Sequence, residues 1–501
     1  MKIAKLLQQK YYRQRFDGAP LFLGLGALAE MKNEARKGKT LTASSRLVYY
    51  ADRRADWYIP QADLKRATDY FFKKAKSRRD IDVSPTISKK FLKKWENDEK
   101  IFLAHCLALR NKNLSQLNDK ELIDELKKLF NIYINRFTSS SIIDHFALGS
   151  DHITADLILQ ELKKKKLEKK FVEYFSVLTA PTKQSFINEA EIDLLITAYE
   201  FKKNKDLVLI DKYQEKYFWI HNNYIDDHVL GAGYFLREIK KLINSRHNLL
   251  LKAGQIKNIP RQNKIKKKNL IKKIKLSRYL QTLLTISDDF CWWQDERKKS
   301  TFWLTHYASL FLAEIAKRTN YTVDELKYLL PSELLQIFHQ PISKEIIKKR
   351  MKACVYIGLP NQHVLSVETR LIASIQKILN HPKTRQKKLF GLVASPGYAR
   401  GKARICLGYK DTFNFKKGEV LIAVMTRPDY IEAIKKAEAI VTEEGGLTSH
   451  AALVARELGV PCLIAVANAT TNFKNGDLME VDCKNGYAQL LSSAPSTSSS
   501  S

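Results

Sequence analysis

From residue 1 to about 380, apolar positions recur three and four apart. In "LIDELKKLFNIYINRF" and "ADLILQELKKKKLEKKFVEYF" they form one stripe, with lysines on the other face. That spacing predicts amphipathic helices. Gly and Pro are sparse in this part, no repeat is legible, and no hairpin signature stands out. Sub-boundaries are expected at "SPTIS" (84–88), "APTKQ" (180–184) and "IKNIPRQNKIKKKNLIKK" (256–273). The pattern changes at "NHPKTRQKK" (380–388). Beyond it, short β-branched runs alternate with glycine turns and two helical pieces, "PDYIEAIKKA" and "SHAALVAREL". The expected fold class is multidomain: a mostly α-helical N-terminal region, then a compact α/β domain. The segments read as helical regions 1–280 and 281–380, a hinge 381–388, the α/β domain 389–492 and a serine-rich tail 493–501.

Composition changes this picture in one respect. The chain has 501 residues and a net charge of +33, with 62 Lys against 24 Arg. Residues 390–492 carry 12 basic and 11 acidic residues, so nearly all of the excess precedes them. A basic excess raises nucleic acid as a partner. The runs "KKKKLEKK" (163–170) and "KIKKKNLIKKIK" (264–275) have little aromatic interleaving, which a groove for single strands would use, and they read first as a solvated face. Six cysteines, none in a CxxC pair, point to reduced thiols and a cytoplasmic location. No run of about 18 apolar residues predicts a membrane span. "LFLGLGALAE" resembles the core of a signal peptide, but it is short and follows a long polar stretch. "GLGALA" (24–29) matches G-x-G-x-x-A without the strand and βαβ unit a dinucleotide site needs.

The chemistry concentrates in "TEEGGLTSHAALVAREL" (442–458). A buried strand, "AEAIV", leads into Thr442, then Glu443, Glu444, Gly445 and Gly446. Thr448 or Ser449 suits the N-cap of the helix that follows. His450 is therefore expected in the first helical turn, where backbone N–H groups lack partners and the dipole end is positive. Such an end binds phosphate. Glycines let a phosphoryl group approach the backbone, and a neutral imidazole attacks phosphorus. The arrangement suits a histidine that takes up a phosphoryl group; a capping or packed histidine is the alternative.

"GGLTSHAALVARELGVPCLIAV", with "ASPGYARGKA" before it and "GDLMEVDCKNGYAQLL" after it, resembles the phosphohistidine swivelling domain of the phosphoenolpyruvate-utilising enzymes. These include phosphoenolpyruvate synthase, pyruvate phosphate dikinase and rifampicin phosphotransferase. The resemblance implies that His450 carries the phosphoryl group, with Thr442, Gly445, Gly446, Thr448 and Ser449 supporting the phosphate loop. It implies Pro428 at a turn, and it matches Arg456 and Glu457 to a triplet read here as structural. Ala465 or Ala467 stands where the family often has glycine, which touches strand packing. The segment 288–338 is similar to the helical part before the swivelling domain in synthase-like proteins.

By resemblance, the donor is ATP or phosphoenolpyruvate, with Mg²⁺ accompanying it. Neither an ATP-grasp module nor a barrel is legible in the sequence. The chain therefore reads either as a phosphotransferase or as a phosphocarrier or regulatory subunit phosphorylated in trans by a separate ATP-grasp protein. A basic helical nucleic-acid-binding protein with a vestigial carrier domain is the further alternative. Within "WWQDERKK", Trp292, Arg297 and Lys298 are candidate acceptor contacts, against the reading of a helix with one buried stripe. His145 and His152, and His221 and His228, have acidic neighbours. They would form a metal site only if their segments met on continuous helices, and the metal is left unknown.

Overall fold

A computed structural model describes residues 6–32, 44–76, 84–245, 248–359, 362–378, 385–426, 430–446 and 449–493. The chain starts with strand β1 (Tyr11–Asp17) and helix α1 (Pro20–Lys32), then the hairpin β2 (Arg46–Ala51) and β3 (Arg54–Pro60). Helices α2 (Gln61–Lys76), α3 (Ser84–Arg110) and α4 (Asp119–Lys164) follow. Next come α5 (Phe171–Thr179), α6 (Phe186–Asn204), α7 (Val208–Tyr217), α8 (Ala232–Asn244), α9 (Leu249–Ile274) and α10 (Arg278–Arg318). After α11 (Lys344–Lys352) the chain returns to strands β4 (Ala353–Leu359) and β5 (Gln362–Ser366), then α12 (Thr369–Ile378).

The long helices begin where their sequences provide caps. Asn118 and Glu121 form a capping box at α4, and the Ser277 hydroxyl accepts from Leu280 N–H at α10. Helices α3, α4 and α10 pack together around buried Phe102, Leu126, Leu129, Tyr307 and Phe311. "LFLGLGALAE" is neither a leader nor a phosphate loop. It lies in α1, buried from Pro20 to Ala27. Gly26 brings α1 close to α4, where a Cβ would sit 3.8 Å from Phe137.

The expected helical region also contains a sheet that the sequence reading missed. Its order is β1-β3-β2-β4-β5, antiparallel throughout. Strand β2 pairs with β4 from Arg46↔Gly358 to Ala51↔Ala353, so the sheet spans the boundary drawn at 280/281. The β2–β3 turn places Asp52 and Arg53 at φ 51° and 63°. That is hairpin geometry without the usual Asn-Gly or Asp-Gly signature. Buried Arg46 pairs with Glu30 beneath this sheet, and its Nη2 lies 2.8 Å from His145 Nε2. Burial and the neighbouring Arg46 charge lower the His145 pKa, and its Nδ1 is 3.1 Å from the Ser141 carbonyl oxygen.

The C-terminal sheet comprises β6 (Lys388–Phe390), β7 (Leu392–Ser395), β8 (Tyr398–Cys406), β9 (Glu419–Ala423), β10 (Ala439–Thr442), β11 (Cys462–Ile464), β12 (Leu478–Asp482) and β13 (Tyr487–Ser492). Its order is β6-β13-β12-β8-β9-β10-β11-β7, with β8 to β11 parallel. Helix α13 (His450–Leu458) connects β10 to β11. Thus a mostly helical structure ends in a mixed sheet with an α/β connection. Of the expected hinge, residues 381–384 lie outside the described residues. Arg385 pairs with Asp477, and the Gln386 N–H donates to Asn472 Oδ1, so 385–388 are fastened to the C-terminal sheet.

Among the described residues, no helix is long and apolar enough to cross a membrane. The lysine run 264–275 lies mostly on an exposed face of α9, and the run 163–170 is mostly exposed at and beyond the end of α4. An exception is Lys267, whose amino group lies 3.6 Å from an Asp288 oxygen.

Phe71 ties α2 to α4 and α10 by edge contacts of 5.0 Å to Phe146 and 5.1 Å to Phe290, with no exposed surface. Phe71→Ala is expected to cost about 3–5 kcal/mol in denaturant unfolding, because a cavity replaces the ring and its contacts to Phe146 and Phe290.

Candidate functional site

The strand expected before the histidine is β10, buried at all four positions. Its ladder continues past the strand end: Glu443 N–H donates to Ala423 O at 3.0 Å and Glu444 N–H to Val424 O at 2.8 Å. The chain then turns at Gly445, whose φ of +111° favours glycine. A Cβ there would also meet Ser449 at 2.9 Å. Ser449 is the N-cap, its hydroxyl accepting from Ala452 N–H at 3.4 Å, and His450 is the first residue of α13. The loop thus leaves the carboxyl end of a parallel strand and enters a helix N-terminus, a setting that presents unpaired N–H groups. Leu447, Thr448, Pro428 and the His450 side chain lie outside the described residues.

This loop faces the helical body across a cavity of about 200 Å³. Glu444, Gly445, Gly446, Ser449 and Ala451 form one wall. Gln294, Asp295, Arg297 and Lys298 of α10 form another, and Trp57, Tyr133, Phe137 and Tyr224 give the cavity an aromatic side. The structure therefore brings Gly445, Gly446 and Ser449 together with Arg297 and Lys298. Trp292 instead lines a neighbouring cavity of about 70 Å³ between α6, α10 and α13, with Lys183 Nζ 4.5 Å from its ring. Thr442 lines neither cavity. Its hydroxyl is buried without a hydrogen-bond partner, and a Cβ built on Gly445 would lie 3.9 Å from it.

The charges around the loop are arranged unevenly. Glu443 is held by Thr470 N–H at 2.7 Å and by Arg13 of β1 at 3.4 Å. Glu444 has no hydrogen bond at either oxygen, and Arg13 Nε lies 3.9 Å from its Oε1. Burial holds the Glu444 carboxyl well above the usual glutamate range; Arg13 opposes this without overcoming it. Arg297 is committed to Asp144 at 2.7 and 2.9 Å and sits 4.7 Å from the Phe137 ring centre. Burial raises the Asp144 pKa, but the Arg297 charge and hydrogen bonds outweigh it and leave the carboxyl below its ordinary range.

Helix α13 also joins the body. Arg456 Nε donates to Ala394 O at 2.7 Å and Arg456 Nη1 to Thr179 O at 3.2 Å. Asn188 Nδ2 donates to Glu457 Oε1 at 3.1 Å. Tyr174 and Phe175 of the body share one buried cluster with Ala394, Ala452 and Ala455 of the C-terminal domain. The sequence reading passed over Asp295, though it stands inside "WWQDERKK", and Glu444, though it adjoins the glycines. Arg13 and Trp57 carried no local signal.

Among the described residues, the histidine pairs are not assembled into a metal site. The stretch from His221 to His228 is irregular, because Asn222 Oδ1 accepts from His228 N–H and Asn223 Oδ1 from the Ile225 and Asp226 N–H groups. The continuous helix their spacing required is absent. His145 serves the Arg46 network, and the His152 side chain lies outside the described residues. Among the described residues, no group of three or more His, Cys, Asp or Glu is placed to hold a metal.

Residues 415–486 match the family model described as "PEP-utilising enzyme, mobile domain". The chain is 30% identical over 179 residues to an uncharacterised phosphotransferase of Bacillus subtilis, covering 34% of this chain and 21% of that protein. It is 35% identical over 125 residues to a probable phosphoenolpyruvate synthase of Methanothermobacter thermautotrophicus, covering 25% and 18%. It is 49% identical over 98 residues to a probable phosphoenolpyruvate synthase of Staphylothermus marinus, covering 19% and 12%. The chain thus spans about a fifth or less of the length of these relatives.

Two outcomes are expected from this geometry. Gly445→Ala places a Cβ at positive φ against Ser449, a strain of about 1–3 kcal/mol. Hydrogen exchange should quicken over 443–452 while the global unfolding midpoint moves little. Burial, reinforced by Asp295, raises the Glu457 pKa from 4.5 to about 7. A carboxyl with a raised pKa favours the docked state when protonated. Its contribution is complete below about 4.5 and is lost as pH rises through about 7. Small-angle scattering should therefore show the wild-type chain expanding from pH 6 to 8, and Glu457→Gln should remain compact.

Proposed function

Starting from a C-terminal segment that carries the mobile domain of the phosphoenolpyruvate-utilising enzymes, we propose that this protein is a phosphotransferase-like carrier. His450 accepts a phosphoryl group from ATP or phosphoenolpyruvate and passes it to an acceptor bound against the helical body. The observation that carries this reading is the position of His450. It opens α13 directly after a two-glycine turn, and its neighbours Ser449 and Ala451 line the cavity shared with the body.

The residues around the loop suit the task. Backbone N–H groups at the start of α13 favour phosphoryl oxygens. Burial favours the neutral form of Glu444, which lessens the negative charge beside an incoming phosphoryl group. Arg13 offsets Glu443 from the body side. Mg²⁺ is expected with the donor, where it would neutralise phosphate charge. After loading, the domain would move between donor and acceptor positions, as the family resemblance implies.

The purified protein is to be incubated with γ- or β-labelled ATP, and separately with labelled phosphoenolpyruvate, each with Mg²⁺. An acid-labile, base-stable label that disappears in His450→Ala is the expected result, and the labelled compound names the donor. Label that arises only after cell extract is added would identify a carrier phosphorylated in trans. No label under any of these conditions would defeat the carrier reading.

A further inference from the structure

The cavity between the loop and the body contains two acidic groups whose bonding is incomplete: Glu444 of the loop, where burial favours the neutral form, and Asp295 of α10. Glu30 is paired with Arg46, and Asp144 with Arg297. Asp295 lines the same cavity and the smaller one beside it, and it is 8% exposed. The Phe186 backbone N–H, at the start of α6, favours its ionised form. Its Oδ2 is buried without a hydrogen-bond partner. Protein interiors seldom leave a carboxylate oxygen unsatisfied, and such an exception calls for an explanation, a catalytic role among them.

The surroundings of Asp295 are mixed. On its own helix, Lys298 and Lys299 favour the ionised form and Glu296 opposes it. Glu457 of α13 is close enough for the two carboxyls to influence one another. Asp144 and Glu444 stand on the larger cavity, and Lys183 and Glu191 on the smaller. Burial is the largest influence and raises the Asp295 pKa from 3.8 to about 6. A carboxylate in that range is ionised at neutral pH and takes up a proton more readily than an ordinary aspartate.

We propose that Asp295 is a catalytic residue, the base that receives the proton of the acceptor's hydroxyl as that oxygen attacks the phosphoryl group on His450. This rests on the carrier reading. In the step, the acceptor oxygen forms a bond to phosphorus and its proton moves to the Asp295 carboxylate. The nitrogen–phosphorus bond breaks with its electron pair returning to the ring. That ring carries a proton on its other nitrogen and leaves as neutral imidazole. Atoms and charge balance without an oxidant or further reactant. The acceptor is accordingly an oxygen nucleophile, a hydroxyl-bearing molecule or water, seated between the loop and α10. The cavity has room for several water molecules.

The test separates loading from discharge. Phosphoramidate, which phosphorylates imidazole directly, loads the full-length protein without a donor module. The reagent is then removed, and loss of phosphohistidine to water is followed by phosphorus NMR from pH 5 to 9. Free phosphohistidine discharges faster in acid, so a base role reverses the slope. Wild-type discharge should rise with pH through about 6 and level off. Asp295→Asn should load normally, discharge at least about tenfold more slowly at pH 8 and lose the rise. Asp295→Glu, which keeps a carboxylate, should restore part of both. Equal profiles for wild type and Asp295→Asn would overturn the proposal. So would a slower Asp295→Asn discharge that still rises through the same pH, which marks a structural role. Failure of wild type to load, or label persisting in His450→Ala, would defeat the carrier reading and this proposal with it.

Discussion

The pairing of β2 with β4 is the constraint on which the site depends. It joins residues about 300 positions apart, and the antiparallel register from Arg46↔Gly358 to Ala51↔Ala353 fixes which faces they present. Closing so long a loop costs chain entropy, though the cost grows only slowly with length. Burial of Val48, Tyr50, Cys354 and Tyr356 opposes it. Strand β3 lies on the other side of β2 and carries Trp57 to the cavity wall. Strand β1 lies on the far side of β3, where Arg13 pairs with Tyr58 and reaches Glu443. Loss of the β2–β4 register would therefore remove a cavity wall and release the cation that holds the loop.

Charge decides what the docked arrangement can accommodate. A loop that receives a phosphoryl group would ordinarily be burdened by two adjacent glutamates. Here Glu443 is bound by Thr470 and Arg13, and burial favours the neutral form of Glu444. The helix N-terminus then meets little opposing negative charge. Across the cavity, the Arg297 charge is already answered by Asp144. The guanidinium therefore contributes more to the shape of the aromatic wall than to the capture of an anion.

The loop was legible in the sequence because its determinants are local. Strand, glycine turn, N-cap and helix occupy consecutive positions, and each is fixed by its own residue type. The first sheet was not legible because its signals are weak or remote. The Asp52-Arg53 turn adopts left-handed geometry at two residues that do not advertise it, and Arg53 is held by Asp226 at 2.5 Å from another part of the chain. The helix in "LFLGLGALAE" was hidden for the opposite reason. It is apolar around most of its circumference, since both α4 and the sheet cover it, and a buried helix has no periodic polar face.

The same contrast separates the two halves of the candidate site. The loop half lies within residues 442–458. The facing half draws on β1, α1, β3, α4 and α10, from Gln14 to Thr301. No short motif can encode that wall, because its members become neighbours only after the sheet closes and the long helices pack. Substitutions in the wall can reshape the cavity while the glycine turn and the N-cap of α13 stay intact. A locally encoded loop therefore constrains the start of α13 much more tightly than it constrains the wall across the cavity.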